Sequence, residues 1–364
     1  MMTQLLSFYA GEKAYARIRE SGLSSADVKV VAGAAGGPKW LILRHLDRML
    51  FGSWLAEEAG PVHLVGSSIA AWRFAAACHK DPLAALDRFE KAYLEQSYPE
   101  DPPPETVSRE LMRILSRLMA PDGAEQILAH PVLRLNFLAV RCRGALASDT
   151  KALLLPALAA AACANAMFRR AMGLFFERTL FYDARDRPPF YSMQGFPLQR
   201  VPLSSANLQP ALMASGSIPL LMNGVRDVSG AASGTYRDGG ILDYHMNIDF
   251  GQSGEGIVLF PHYAESLVPG WLDKHLPWRG ADLKKMRQVV LIAPSRELLR
   301  RLPEQKIPDR QDFYRFAGRD DQRVRYWRKV LDMSRRAAEE FAQSVENGEI
   351  RERVRPLSEL FHRR

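Results

Sequence analysis

The chain has 364 residues, of which 47% are hydrophobic and 25% charged, the balance of a soluble globular protein able to bury a large core. Its three cysteines, Cys78, Cys142 and Cys163, are widely spaced and odd in number. No zinc or disulfide framework can be read from them, and a reducing, cytoplasmic compartment fits best. The net charge of +8 favours anionic partners; no nucleic-acid motif accompanies it, and it suits peripheral docking on an anionic lipid surface.

The stretch from Met1 to Tyr15 lacks the basic start, apolar centre and cleavage site of a signal peptide. Val28 to Ala32, short and rich in valine, predicts a buried strand ended by a glycine turn. Pro38 then suits the first position of a helix running through Trp40, Leu41, Leu43, Leu46 and Leu50. Val62 to Val65 predicts a second strand and Ile69 to Cys78 a second helix, followed by another over Asp81 to Tyr98. The run Tyr98-Pro99-Glu100-Asp101-Pro102-Pro103-Pro104 predicts a loop, because consecutive prolines block helix and sheet alike. Helix resumes over Leu111 to Leu118, and a strand follows over Leu135 to Cys142.

Ala152 to Phe168 carries no charge. At about 17 residues it lies at the lower limit for a membrane span, and Pro156 and Asn165 interrupt it. A buried helix is the reading preferred here, with a helix resting on a lipid surface as the alternative. Thr179 to Asp183 predicts a strand, Pro210 to Ser215 a helix, and Ile257 to Phe260 and Val289 to Ile292 two more buried strands. A long charged helix is expected from Asp312 to the neighbourhood of Glu346; interleaved charges such as Arg323, Arg325, Asp332 and Glu339 make it a solvated face. Strands alternating with helices predict an α/β fold with a largely parallel sheet. With no boundary apparent, residues 1–364 are read as one domain carrying a charged helical C-terminal extension over about 310–364.

Three motifs punctuate this pattern. Gly33-Ala34-Ala35-Gly36-Gly37-Pro38-Lys39 is a glycine turn between a strand and a helix, where exposed N–H groups make a nest for an anion. Its spacing is neither that of a P-loop nor that of a dinucleotide site. Gly66-Ser67-Ser68-Ile69-Ala70 places a serine on a strand-to-helix turn. Such a turn lifts the hydroxyl above the sheet and aims the helix N-terminus and the Ile69 N–H at an oxyanion; Gly66 and Ala70 are small because two backbones meet there. The competing role is a cap on the following helix, with Ser67 as the cap. Asp238-Gly239-Gly240 is either a plain turn or a carboxylate among small residues that can reach a serine as general base.

Taken in order, these motifs resemble the patatin-like phospholipase family, with Ala214-Ser215-Gly216-Ser217-Ile218-Pro219 similar to that family's small-residue stretch ahead of the aspartate. The resemblance covers about Val28 to Tyr244. It implies a three-layer α/β/α fold with a mostly parallel central sheet and a serine–aspartate dyad that uses no histidine, metal or cofactor. Ser68 would be the nucleophile and Asp238 the base. Gly36, Gly37 and Ile69 would supply oxyanion N–H groups, Lys39 fills the basic position beside them, and Gly66, Ala70, Gly239 and Gly240 support the two turns. The chain departs from the family in Trp40, where a small residue is expected, and in Ala70, where the elbow has glycine. The implied activity is hydrolysis of lipid esters, of a phospholipase A, lysophospholipase or general esterase kind. Two alternatives stand beside it: a catalytically impaired lipid-binding protein on the same fold, and a Ser-His-Asp esterase that uses a histidine such as His245.

Overall fold

A computed structural model describes residues 4–55, 60–120, 122–251 and 256–361. Residues 1–3 of the stretch read for a leader and 362–364 of the C-terminal region lie outside these. The described chain is α/β, built on one sheet of 11 strands. The strands are β1 (Leu6–Ala10), β2 (Val28–Gly33), β3 (Val62–Ser67), β4 (Leu133–Cys142), β5 (Phe176–Tyr182), β6 (Leu198–Pro202), β7 (Val225–Arg226), β8 (Thr235–Asp238), β9 (Ile257–Pro261), β10 (Val289–Pro294) and β11 (Val354–Pro356). Their order is β11-β1-β10-β9-β2-β3-β4-β5-β6, with β8 on β4 and β7 on β8. From β10 to β4 every pairing is parallel. Strands covered on both faces need apolar side chains at every position. Hence β9 (Ile-Val-Leu-Phe-Pro) and β10 (Val-Val-Leu-Ile-Ala-Pro) are buried throughout, and β2 is buried except at Lys29.

One feature of β4 positions the site. Its first half pairs with β3 in parallel, up to Ser67 opposite Leu138. Its other edge is taken by β5 from Asn136 to Cys142. Where β3 stops, β8 takes over the vacated edge in the antiparallel sense, with Asp238 opposite Ala139. The end of β3 and the end of β8 therefore meet head to head on consecutive positions of β4.

Several elements differ from expectation. The helix expected after Pro38 is a 3-10 turn over Gly37–Leu43, an α-helix over Arg44–Met49 and a wider π turn over Leu50–Trp54. The helix expected over Leu111 to Leu118 begins at Pro104, since a proline in the first turn gives up no hydrogen bond. Strand β1, short and near the N-terminus, was not foreseen; nor was β11, which pairs with it. The C-terminal helix Asp320–Glu346 carries most of its charges outward and buries Trp327, Val330, Leu331 and Phe341 in the main core, but Arg323, expected on the solvated face, is buried against Asp320 and the Gln96 carbonyl.

The uncharged segment forms the helix Lys151–Met167, and it is only half buried, through Leu154, Leu158, Ala161 and Asn165. Leu153, Leu155, Met167 and the following Phe168 face outward, at 53%, 58%, 69% and 72% exposure. With Leu174 and Trp278 they make six of the eight large apolar side chains exposed among the described residues. No described helix is long and apolar enough to cross a membrane.

Candidate active site

Ser68 sits between β3 and the helix Ile69–Ala77 with φ 57° and ψ −130°. A non-glycine residue held at positive φ is strained, and such strain concentrates at functional turns. The tightness of the turn explains its small residues. A Cβ added at Gly66 would lie 2.8 Å from the Ala70 methyl, and one at Gly33 would lie 2.7 Å from it. The Ala70 methyl thus fills the space that those two glycines leave. Ser67 is not the helix cap: its hydroxyl donates to the Asp243 carbonyl at 2.8 Å.

The register on β4 brings the aspartate to this serine across 170 residues of sequence, and the Ser68 hydroxyl donates to Asp238 Oδ2 at 2.7 Å. The other carboxylate oxygen accepts the Gly240 N–H at 2.7 Å. The Asp-Gly-Gly run is small for a steric reason, since a Cβ at Gly239 would lie 2.1 Å from the Leu138 carbonyl oxygen. Burial pushes the Asp238 carboxyl up to about 6, against the opposing pull of its bonds from Ser68 and Gly240.

The small-residue stretch has a definite task. Ser215 Oγ accepts the Ser68 N–H at 2.9 Å and donates to the Leu138 carbonyl at 2.7 Å. Its own carbonyl accepts the Gly239 N–H at 3.2 Å, and the Ser217 carbonyl accepts the Asp238 N–H at 2.9 Å. One buried tripeptide therefore ties the serine turn, the aspartate strand and β4 together. A further clamp comes from β5: Arg178 makes a two-pronged ion pair with Asp243, both bonds 2.7 Å and both side chains buried.

The glycine turn lies at the carboxyl end of β2, where ligands bind in open parallel sheets. Gly37 has φ 56°, and a Cβ at Gly36 would lie 2.7 Å from the Tyr263 ring. Gly37 and Ile69 open their helices, so neither N–H has a carbonyl one turn back to bond. Tyr263 pins the turn by donating its hydroxyl to the Ala35 carbonyl at 2.7 Å. Lys39 lies over the face of that tyrosine, 4.8 Å from the ring centre, and burial lowers its pKa.

His245 does not complete a triad. Its Nδ1 accepts the Val268 N–H at 2.9 Å, so Nε2 carries the proton and meets the Tyr263 hydroxyl at 2.7 Å. Burial, and the neighbouring His262, hold its pKa well below the ordinary value. Among the described residues no histidine is hydrogen-bonded to Ser68 or Asp238. Trp40, which stands where a small residue is expected, packs in the core. It is 1% exposed, stacks on Phe89 at 4.8 Å and meets Tyr93 edge-on.

Two cavities meet at Ser68. One of 190 Å³ is lined by Gly36, Gly37, Lys39, Asp238, Lys274 and Arg310. The other, of 600 Å³, is walled mainly by apolar and aromatic side chains, among them Ile69, Trp72, Val107, Leu111, Leu221 and Phe313. Trp271, Ile218 and Pro219 border both. Sequence reasoning missed Trp271, Lys274 and Arg310, which belong to the last third of the chain, where no motif marks them.

No family model and no curated protein matches the chain. Among solved structures, VipD from Legionella pneumophila is similar with a TM-score of 0.34 at 12% identity, over 93% of this chain and 71% of that one, a likeness too low to carry an argument about fold or function.

Proposed function

We propose that the protein is a serine acyl hydrolase of lipid esters, a single patatin-like domain of three-layer α/β/α architecture that works through a Ser68–Asp238 dyad. The observation that carries this reading is the 2.7 Å bond between the hydroxyl of a serine held at positive φ and a buried carboxylate, at the junction of a polar and an apolar cavity. In the reaction Ser68 Oγ attacks the ester carbonyl while its proton passes to Asp238 Oδ2. The N–H groups of Gly36, Gly37 and Ile69 take the oxyanion, in a site where fixed donors need no reorganisation. Collapse breaks the bond to the alcohol, which leaves with the proton from Asp238. Water, deprotonated by the same carboxylate, then releases the fatty acid and restores Ser68. The raised carboxyl pKa supports this role, because a base works best near the operating pH.

The exposed apolar face of Lys151–Met167 is suited to rest on an anionic lipid surface. A helix that is apolar all round needs a cover on its open side. Exposed Lys151 and Arg170 stand at its two ends, ready for acidic head groups. Asn165 and Arg169 join it, through Asp273, to the segment holding Trp271 at the cavity mouth.

The test is hydrolysis of short and long p-nitrophenyl esters by wild type, Ser68→Ala and Asp238→Ala, with folding checked by circular dichroism. Wild type is expected to be active and both variants to lose at least about a thousandfold in kcat, as dyad members do. An inactive wild type whose Ser68 is not labelled by a phosphonate would instead indicate a lipid-binding protein.

A further inference from the structure

Lys39, Lys274 and Arg310 come from three separate stretches of chain to line the 190 Å³ cavity beside Ser68. Among the described residues none of the three forms an ion pair. The buried arginines elsewhere behave differently: Arg73 is paired with Asp47, Arg178 with Asp243 and Arg237 with Asp149. The two carboxylates at the cavity are already engaged. Asp238 accepts from Ser68 and Gly240, and Asp309 accepts from Lys306 Nζ at 3.1 Å and the Gln311 N–H at 2.8 Å. Two of the cations rest on ring faces instead of carboxylates, Lys274 at 3.8 Å from the Tyr244 centre and Lys39 at 4.8 Å from that of Tyr263. Although Lys274 as a residue is exposed, its ammonium points to this crowded wall. Lost hydration and repulsion from Lys39 and Arg310 lower its pKa to about 7. Three unpaired cations gathered in one polar cavity repel one another unless an anion joins them.

We propose that Lys39, Lys274 and Arg310 form a subsite for a phosphate group carried on the alcohol portion of the ester, with the acyl chain in the 600 Å³ apolar cavity on the other side of Ser68. The three cations outnumber the two carboxylates of the cavity, Asp238 and Asp309, and leave a net positive wall that an anionic phosphate group matches. This inference rests on the acyl hydrolase reading and specifies its substrate. The bond from Ser68 Oγ to the acyl carbon forms, the bond from that carbon to the alcohol oxygen breaks, and the phosphate-bearing alcohol departs with the proton relayed by Asp238.

Two measurements test it. The first compares kcat/KM for 1-decanoylglycerol 3-phosphate, 1-decanoylglycerol and the decanoyl ester of lactate, in wild type, Lys274→Gln and Arg310→Gln. The phosphate ester is expected to lead the neutral one by tenfold or more, and each substitution to cut that ratio by about tenfold, as loss of one charge-assisted contact does. Equal turnover of phosphate and neutral esters, a ratio indifferent to both substitutions, or a lead for the lactate ester would each overturn the assignment. The second is calorimetric binding of sn-glycerol 3-phosphate, against glycerol at matched ionic strength. It needs no turnover, so it separates the two readings: if no ester is cleaved but the phosphate binds, and binds about tenfold more weakly to each variant, the hydrolase reading fails and the subsite stands. No binding by wild type overturns the subsite whatever the ester assays show.

Discussion

Asp238 shows how one residue's environment sets both chemistry and stability. Its folded carboxyl, raised to about 6, holds its proton more tightly than the unfolded chain does. In the proposed reaction the carboxyl must be ionised to act as base, so kcat/KM for a neutral ester is expected to fall as pH drops through about 6, which a pH–rate profile will show. The same shift makes folding stability decline as pH rises from about 4 to about 6 and stay lower above that. Asp238→Asn removes a buried charge, so the variant is expected to melt higher than wild type at pH 8, by an effect on the order of 3 kcal/mol. Ser215→Ala makes the opposite case. It strips a partner from the buried Ser68 N–H and the Leu138 carbonyl, at a cost of about 1–3 kcal/mol in urea denaturation, and loosens the turn enough to slow phosphonate labelling of Ser68. Asp238 was marked in the sequence by the order of the motifs around it, since an Asp-Gly pair taken alone is a common turn. Ser215 was visible only as part of a small-residue stretch, since a serine's hydrogen-bond partners leave no mark on its neighbours.

Among the elements, the serine turn was the most legible. A strand, a sharp turn and a helix each impose local rules on backbone dihedrals and side-chain size, and Gly66, Ser68 and Ala70 obey them. The uncharged segment was less so. Its composition announced a helix, but burial depends on what packs against it, and only one side of Lys151–Met167 finds a neighbour. If that open face docks on lipid, Leu155→Ser and Phe168→Ser should each weaken binding to phosphatidylglycerol-containing vesicles by about tenfold in a sedimentation assay, from the apolar area no longer removed from water. Vesicle binding equal to wild type in both variants would leave the face without that role.

At the scale of the whole molecule, strands near the two ends of the described chain lie side by side at one edge of the sheet. Strand β11 pairs with β1, Arg353 donates to the Leu6 carbonyl at 3.0 Å, and Ile350, Val354 and Leu357 are buried. Truncation after Asn347 would bare the β1 edge and remove those three side chains, each worth about 1.5–3 kcal/mol of burial. The shortened chain is expected to aggregate or melt far below the full chain in a thermal scan. By itself the sequence determined which segments are strands and helices in the parallel centre of the sheet. It also marked the positions at which backbone and side-chain chemistry is special, Gly36, Gly37, Ser68 and Asp238. Those signals arise from dihedral limits and apolar periodicity, which act over a few residues and so are written locally. Only the tertiary structure decided which of them meet. The 170-residue gap between Ser68 and Asp238 closes because β3 and β8 share one edge of β4, His245 is drawn to Tyr263 instead of the serine, and Lys39, Lys274 and Arg310 converge on one cavity. Proximity of that kind depends on sheet register and packing across the whole chain, and no short stretch of sequence encodes it.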